Sequence, residues 1–135
     1  MTPSGKKTIL IVEDDEGIGA TLKIFLETEA YEVVLANNGL VALELLCTCE
    51  FPSLILLDMK MPIMNGWEFA AAFRAKYGKQ VPMVVMTAAA DAEQRAREVE
   101  AVDWLEKPFR FAELLQKIKK ILDSSSLPAG EGSSP

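Results

Sequence analysis

The chain has 135 residues, which is enough for one domain of ordinary size. Half of the residues are hydrophobic and a quarter are charged, a globular composition that excludes a wholly disordered chain. The formal net charge of -6 disfavours direct binding to nucleic acid. No apolar stretch approaches the roughly 20 residues that cross a bilayer, and the N-terminus lacks the apolar core of a signal peptide, so the sequence predicts a cytoplasmic protein.

The residue types also limit the chemistry. The chain contains no histidine, which excludes Ser-His-Asp and Cys-His catalysis and histidine-bearing zinc sites, so carboxylates must hold any metal. The two cysteines, Cys47 and Cys49, lie two residues apart on a predicted helix. Neighbours at that spacing face different directions, and we expect no disulfide between them.

Five short apolar runs alternate with longer segments of helical periodicity, which predicts an α/β fold with a parallel sheet. The runs are Thr8 to Val12, Glu32 to Ala36, Leu54 to Leu57, Val81 to Met86 and a weaker one, Val102 to Leu105. The first, third and fourth are nearly continuous in aliphatic residues and methionine, as strands buried on both faces are. These three are therefore predicted to be the central strands.

The segments between the runs repeat apolar residues at helical spacing and predict five helices packed on the sheet. The fourth, in 91–100, has only a narrow stripe and is expected to be the most mobile, whereas the fifth has a broad apolar face that ends near Asp123. The stripes are Ile18, Leu22, Phe25 and Leu26; Leu40, Leu43 and Leu46; Ala70, Phe73 and Tyr77; Ala92, Ala96 and Val99; and Phe111, Leu114, Leu115, Ile118, Ile121 and Leu122.

The two ends of the chain differ in composition from the rest. Nine of the twelve residues in 124–135 are Ser, Gly or Pro, which bury too little to offset their ordering entropy. We expect a disordered N-terminus in 1–6, one domain in 7–123 and a disordered tail or linker in 124–135, with no output domain.

Polar residues follow four of the predicted strands at the edge where open parallel sheets bind ligands. Glu13 and Asp14 follow the first strand, Asp58 the third, Thr87 the fourth and Lys107 the fifth. Clustered carboxylates repel one another unless a cation neutralises them, and oxygen ligands together with a phosphate suit Mg²⁺. The constellation predicts a phosphoryl-transfer site in which Asp58 is the nucleophile.

Each of these residues also has a purely structural interpretation. Acidic residues after strands often cap helices, and we expect Asp15 or Glu16 to be the cap or first-turn acid of the first helix. Thr87 alone is an ordinary strand end, and Lys107 before Pro108 an ordinary turn lysine. Their coincidence at four successive strand ends favours a site.

The sequence resembles the receiver domains of bacterial response regulators from Lys7 to Leu122. The resemblance rests on four segments, ILIVEDD, LILLDMKMPIMNG, PMVVMTA and WLEKPF, which begin at Ile9, Leu54, Pro82 and Trp104. It implies a flavodoxin-like, five-stranded doubly wound sheet of order 2-1-3-4-5.

The resemblance also implies roles for individual residues. Glu13, Asp14, Asp58 and the main-chain carbonyl of Lys60 would bind Mg²⁺, and Asp58 would accept the phosphoryl group. Thr87 would be the switch hydroxyl, Lys107 the cation that pairs with the phosphoryl group, and Trp104 the aromatic that turns inward, while the small Ala88 leaves room for the phosphate. Most family members have Tyr or Phe in place of Trp104, and Gly in place of Glu100.

The resemblance further implies partners and an output. The donor would be a phosphohistidine of a sensor histidine kinase or a histidine phosphotransfer protein, and phosphorylation would switch the surface around helix 4, strand 5 and helix 5 toward a downstream protein or a homodimer. Such a chain is a signalling switch that catalyses only its own phosphotransfer and autodephosphorylation.

Three other interpretations stay open on the sequence. A phosphatase of the haloacid dehalogenase type also uses an Asp nucleophile and Mg²⁺, but needs a second Asp where this chain has Lys60. A receiver that acts only as a binding module usually lacks the acceptor Asp, the Thr or the Lys. The chain could also be a fragment of a hybrid kinase or of a larger regulator.

Overall fold

A computed structural model describes residues 6–48, 51–88 and 90–126, with side chains to residue 123. Its centre is a five-stranded parallel sheet of order β2-β1-β3-β4-β5, as expected. The strands are β1 (Thr8–Val12), β2 (Glu32–Ala36), β3 (Leu54–Asp58), β4 (Met83–Thr87) and β5 (Asp103–Glu106).

The central strands are the three that the sequence indicated. Every residue of β1, β3 and β4 is buried, whereas the edge strands β2 and β5 are partly exposed. The register pairs Val12 with Leu57, Leu57 with Val85 and Thr87 with Glu106, so the carboxyl ends of neighbouring strands are aligned. The loops that follow the strands therefore emerge along one edge of the sheet.

Five helices cover the two faces of the sheet. They are α1 (Glu16–Thr28), α2 (Gly39–Leu45), α3 (Gly66–Tyr77), α4 (Ala92–Glu98) and α5 (Phe111–Ser126). One core lies under α1 and α5, the other under α2, α3 and α4. Successive strand residues alternate between these cores, since Leu105 packs on the first and Trp104 on the second.

Three of the predicted helix stripes are partly wrong, and in α5 the exposed residue is Phe111, at 37%. Leu40 of α2 is 43% exposed, and the helix buries Gly39 and Ala42 together with the predicted Leu46, which lies just beyond its end. A Cβ on Gly39 would lie 2.7 Å from the Cγ of Met64, so the contact with the loop before α3 requires the smallest residue. Ile18 of α1 is likewise 36% exposed, and the buried residue beside it is Gly19.

The end of α5 lies beyond its expected position. The helix continues to Ser126, three residues past Asp123, because the backbone hydrogen bonds of a last turn do not require apolar side chains. Apart from Lys6 and these three residues, the expected disordered ends lie outside the described residues. Cys47 is an exposed free thiol, while Cys49 also lies outside them. Within the described ranges, no helix is both long and apolar enough to cross a membrane.

Candidate functional site

Three carboxylates meet at the edge where β1 and β3 end. Asp58 is the last residue of β3, and Glu13 and Asp14 follow β1 directly. One oxygen from each of these side chains lies within 4.8 Å of the others. Glu13 and Asp58 are buried and Asp14 is exposed, so the cluster opens to solvent on one side. The sequence predicted this grouping from the strand ends.

The lysine after β5 reaches into the same cluster. The Nζ of Lys107 donates a hydrogen bond to Oε1 of Glu13 at 2.6 Å and lies 3.6 Å from Oδ1 of Asp58. Its backbone N–H donates to the carbonyl oxygen of Thr87 at 2.8 Å, and its peptide bond to Pro108 is cis. These contacts place the lysine and the buried threonine beside the carboxylates.

Burial and the neighbouring groups shift the pKa of Asp58 and of Lys107. Burial, together with the charge of Glu13, raises the pKa of Asp58 from 3.8 to about 7, although Lys107 opposes the rise. Burial lowers the pKa of Lys107, but the hydrogen bond to Glu13 and the attraction of Asp58 outweigh this effect, so its pKa is raised overall. The groups around Asp58 therefore disfavour its ionised form in the metal-free protein.

An open cleft of about 260 Å³ contains the predicted site. It is lined by Glu13, Asp14, Asp15, Ile18, Asp58, Lys60, Thr87, Ala88 and Lys107. Seven of these were expected to belong to the site, and Asp15 and Ile18 were expected only in structural roles, whereas Trp104, the predicted switch aromatic, does not line the cleft. A wider apolar groove of about 640 Å³ adjoins it along α1 and the start of α5 and shares Ile18, Ala88 and Lys107 with it.

Local backbone structure fixes the acidic loop after β1. Asp15 is the N-cap of α1 and accepts a hydrogen bond from the backbone N–H of Ile18 at 3.0 Å, which confirms its expected capping role. The backbone N–H of Asp15 also donates to Oε2 of Glu13 at 3.1 Å. Both oxygens of Glu13 are thus held, one by Lys107 and the other by the start of the helix.

The loop after β3 packs against the backbone of Asp58 from the other side. The N–H of Gly66, the first residue of α3, donates to the carbonyl oxygen of Met59 at 3.0 Å. A Cβ on Gly66 would lie 2.8 Å from the carbonyl oxygen of Asp58 and 2.6 Å from the Sδ of Met59. Only glycine permits this close approach. The sequence analysis missed the contact, although a glycine at the start of a predicted helix can indicate a close backbone approach.

Trp104 is half-buried and packs against the core under α2, α3 and α4. Lys117 of α5 lies over its ring with Nζ 5.5 Å from the centroid, and donates to the carbonyl oxygen of Trp104 at 2.6 Å and to Oδ1 of Asp103 at 2.9 Å. These contacts could not be predicted from the sequence, because they depend on how α5 crosses β5.

Helix α4 is held by α3 as well as by its small apolar stripe. The indole N–H of Trp67 donates to Oε1 of Glu98 at 2.7 Å, and the guanidinium of Arg95 lies 5.5 Å from the Trp67 ring centroid. Arg74 donates to the carbonyl oxygens of Val99 and Glu100 at 2.9 and 3.0 Å. These contacts compensate for the limited apolar area of α4.

Comparison with known proteins decides the family. The profile described as the response regulator receiver domain matches residues 9–119. The chain belongs to the response regulator receiver domain family. The receiver domain is 40% identical over 116 residues to a probable transcriptional regulatory protein, SilR of Salmonella typhimurium, and 38% identical over 116 residues to the transcriptional regulatory protein CusR of Escherichia coli K12.

These matches cover 84% of the chain and 50% of each relative, so the chain spans about half the length of the curated relatives it matches. Solved structures agree on the fold. The response regulator TrrA of Thermotoga maritima, in complex with Mg²⁺-BeF, is 34% identical, with a TM-score of 0.76 over 86% of this chain and 99% of that one. The chemotaxis protein CheY4 of Vibrio cholerae is 30% identical, with a TM-score of 0.79 over 87% and 100%.

The receiver domain thus carries an acidic cluster that fits a phosphorylation site. The donor set also fits a hard divalent cation. It consists of three carboxylates, two of them buried, with one lysine close to them, and such a set leaves negative charge that a cation would neutralise. All the side-chain atoms that would hold an ion are oxygens, and the exposed Asp14 leaves an open side where waters could complete its coordination.

Proposed function

We propose that this receiver domain accepts a phosphoryl group on Asp58 from a phosphohistidine of a partner protein. An oxygen of the Asp58 carboxylate attacks phosphorus, the bond from phosphorus to the donor nitrogen breaks, and the donor histidine leaves. The observation that carries the proposal is the position of Asp58, a buried carboxylate at a strand end close to two other carboxylates and a lysine.

The metal in this proposal is Mg²⁺. Glu13, Asp14, Asp58 and the main-chain carbonyl of Lys60 would hold it, and when bound it would neutralise negative charge on the acceptor and on the incoming phosphoryl group. The complex of TrrA with Mg²⁺-BeF, a mimic of phosphorylation, supports this choice by analogy. The raised pKa of Asp58 supports it too, because a carboxylate that is poorly compensated by the protein gains most from a cation.

Thr87 and Lys107 would act on the phosphoryl oxygens. The Nζ of Lys107 is 3.6 Å from Asp58 and needs only a small movement away from Glu13 to pair with a phosphoryl oxygen. Thr87 lines the same cleft, and its hydroxyl would donate to another oxygen. By these means the receiver domain would promote its own phosphotransfer and autodephosphorylation and turn over no other substrate.

The donor and the output follow from the family. Relatives of this chain are transcriptional regulators of two-component systems, which implies a histidine kinase as partner. Movement of Thr87 would let Trp104 turn inward and would change the surface formed by α4, β5 and α5. The downstream partner would read this surface, or a second phosphorylated copy would pair with it.

Phosphorylation with a small donor tests the proposal. Incubation of the whole chain with acetyl phosphate and MgCl₂ should add one phosphoryl group, visible as a mass increase and lost after EDTA is added before the donor. Asp58→Asn should remove the gain, whereas Asp15→Asn, which keeps a capping side chain beside the site, should retain it. An unchanged wild-type mass with several small donors would sink the proposal.

A further inference from the structure

An isoleucine in a left-handed backbone conformation lies in the loop that follows the acceptor strand. Ile63 has a φ of 70° and is 74% exposed, the largest exposure among the large apolar side chains described. A β-branched residue with positive φ is a true outlier, since its side chain crowds the backbone there. The other non-glycine residues with positive φ, Ala30 and Glu100, directly follow helix caps, where a left-handed residue is an ordinary ending.

A three-residue turn produces this conformation. The N–H of Met64 donates to the carbonyl oxygen of Pro62 at 2.7 Å, which makes Ile63 the centre of a γ-turn of the rare form with positive φ. The residue after the turn is fixed, because the carbonyl oxygen of Met64 accepts from the N–H of Gly39 at 3.0 Å and its side chain contacts Gly39. The turn is therefore imposed on Ile63 by its anchored neighbours.

Stability does not account for isoleucine at this position. Its side chain packs on neither core, so it gains little from burial, and a left-handed conformation disfavours it. Asparagine or glycine would adopt the same turn more readily. An exposed apolar residue that is unfavourable in its own loop is more consistent with a contact that forms only when a partner is bound.

The position of the turn identifies that partner. Its loop starts at Asp58 and returns to it, because Gly66 bonds Met59 and packs on the carbonyl of Asp58. Ile63 is three residues from Gly66, which packs on Asp58, hence at most about 11 Å from that contact along an extended chain. A standard interface of about 800 Å² per partner has a radius of about 16 Å. A protein that brings a phosphohistidine to Asp58 would therefore cover the edge of the sheet where the tip of this loop lies.

We infer that Ile63 is a specificity-determining contact residue for the phosphodonor protein, held outward by the γ-turn so that it inserts into an apolar hollow beside the donor histidine. The inference rests on the proposed phosphorylation of Asp58. A contact residue should affect phosphotransfer from a protein donor only, because a small phosphodonor has no surface for Ile63 to contact. A residue with a role in the chemistry of Asp58 should affect transfer from both donors.

The test compares a protein donor with a small donor on the same variants. Histidine kinases encoded in the same genome are phosphorylated with radiolabelled ATP, purified and screened, and the fastest donor to the wild-type chain is taken forward. Ile63→Asn should slow transfer from that kinase about tenfold, the loss of one good apolar contact, and should change phosphorylation by acetyl phosphate less than about twofold. Ile63→Leu should restore transfer from the kinase.

Two controls separate contact from folding. Val102 is 57% exposed and lies just before β5, at the opposite edge of the sheet, so Val102→Asn should leave both rates unchanged. The melting temperature of Ile63→Asn should rise by about 3 °C, because asparagine relieves the left-handed conformation. If Ile63→Asn is more stable than the wild type and still receives the phosphoryl group from the kinase more slowly, misfolding cannot explain the slower transfer.

Each other result overturns the inference. Unchanged transfer from the kinase to Ile63→Asn would show that the donor does not contact Ile63, and equal slowing with both donors would assign the loop to the chemistry of Asp58. A wild-type chain that reacts with acetyl phosphate but with no kinase would leave the phosphorylation of Asp58 intact and would remove the protein donor, and this inference with it. Absence of reaction with acetyl phosphate would remove the proposed function first, and this inference with it.

Discussion

The Nζ of Lys107 lies 2.6 Å from Oε1 of Glu13. The lysine is thus bound to Glu13, and its Nζ is 1.0 Å farther from Oδ1 of Asp58, the proposed acceptor, at 3.6 Å. A phosphoryl group on Asp58 would compete with Glu13 for this cation, and the competition is local, because every group involved lies in one cleft. The first two predictions follow from the charges of this cleft.

Removal of the lysine should strengthen metal binding. Lys107→Gln takes away a positive charge that repels Mg²⁺ and leaves the three carboxylates less compensated, so Mg²⁺ should bind about fivefold more tightly, which corresponds to about 1 kcal/mol. Calorimetric titration with MgCl₂ measures the change. Lys23→Gln is the control, because Lys23 pairs with Glu27 on the exposed side of α1. The Mg²⁺ affinity of this variant should match that of the wild type. Weaker binding by Lys107→Gln would show that the lysine is needed to assemble the site.

Removal of the negative charge of Asp58 should stabilise the metal-free protein. The pKa of Asp58 is raised to about 7 in the folded state from 3.8, so between these values the folded protein binds the proton more tightly than the unfolded chain does. The free energy of unfolding should therefore fall as the pH rises from about 4 to 7. Asp58→Asn should abolish this part of the pH dependence and be more stable by about 2 kcal/mol at pH 8, a figure reduced for solvent screening.

Urea unfolding in EDTA at pH 5 and pH 8 measures this effect. Saturating MgCl₂ should reverse the order of the two proteins at pH 8, since the ion binds the folded wild type and is held less well without Asp58. An Asp58→Asn protein that is less stable than the wild type in EDTA at pH 8 would contradict the prediction.

Phosphorylation should change the environment of Trp104. The ring is half-buried beneath Lys117, and an inward turn would move it out of that contact into a less polar environment. In a Trp67→Phe background, which leaves Trp104 as the one tryptophan, acetyl phosphate with Mg²⁺ should shift the emission to shorter wavelength. The same addition to Asp58→Asn should give no shift. Phosphorylation without any change in emission would indicate that the chemistry is uncoupled from the surface around β5.

Two glycine substitutions should have opposite effects on stability. Gly66→Ala places a Cβ 2.8 Å from the carbonyl oxygen of Asp58, so the backbone must move, and we expect a loss of about 1–3 kcal/mol together with slower phosphorylation. Gly17→Ala lies in the first turn of α1, where the new Cβ would approach only Oδ1 of Asp15 at 3.4 Å. It should stabilise the protein by roughly 0.5–1 kcal/mol. Equal urea midpoints for the two variants would refute the packing argument.

Much of the fold could be predicted because the burial of a strand is visible in the amino-acid composition of that strand. The strands β1, β3 and β4 are buried on both faces, and their unbroken aliphatic composition is enough to indicate it. The helix stripes were less reliable, since Leu40 is exposed and Gly39 is buried. Periodicity records which residues are apolar, whereas close packing of α2 on Met64 requires a residue without a side chain.

The sequence by itself determined the order of the elements and the residues at the strand ends, since parallel strands must bring Glu13, Asp58, Thr87 and Lys107 to one edge. The tertiary structure alone decided that Lys107 pairs with Glu13, that Lys117 covers Trp104 and that Ile63 is held outward in a γ-turn. These features depend on distances of a few ångströms between residues that are far apart in the chain or are held by distant backbone groups. Composition and spacing along the chain do not encode such distances.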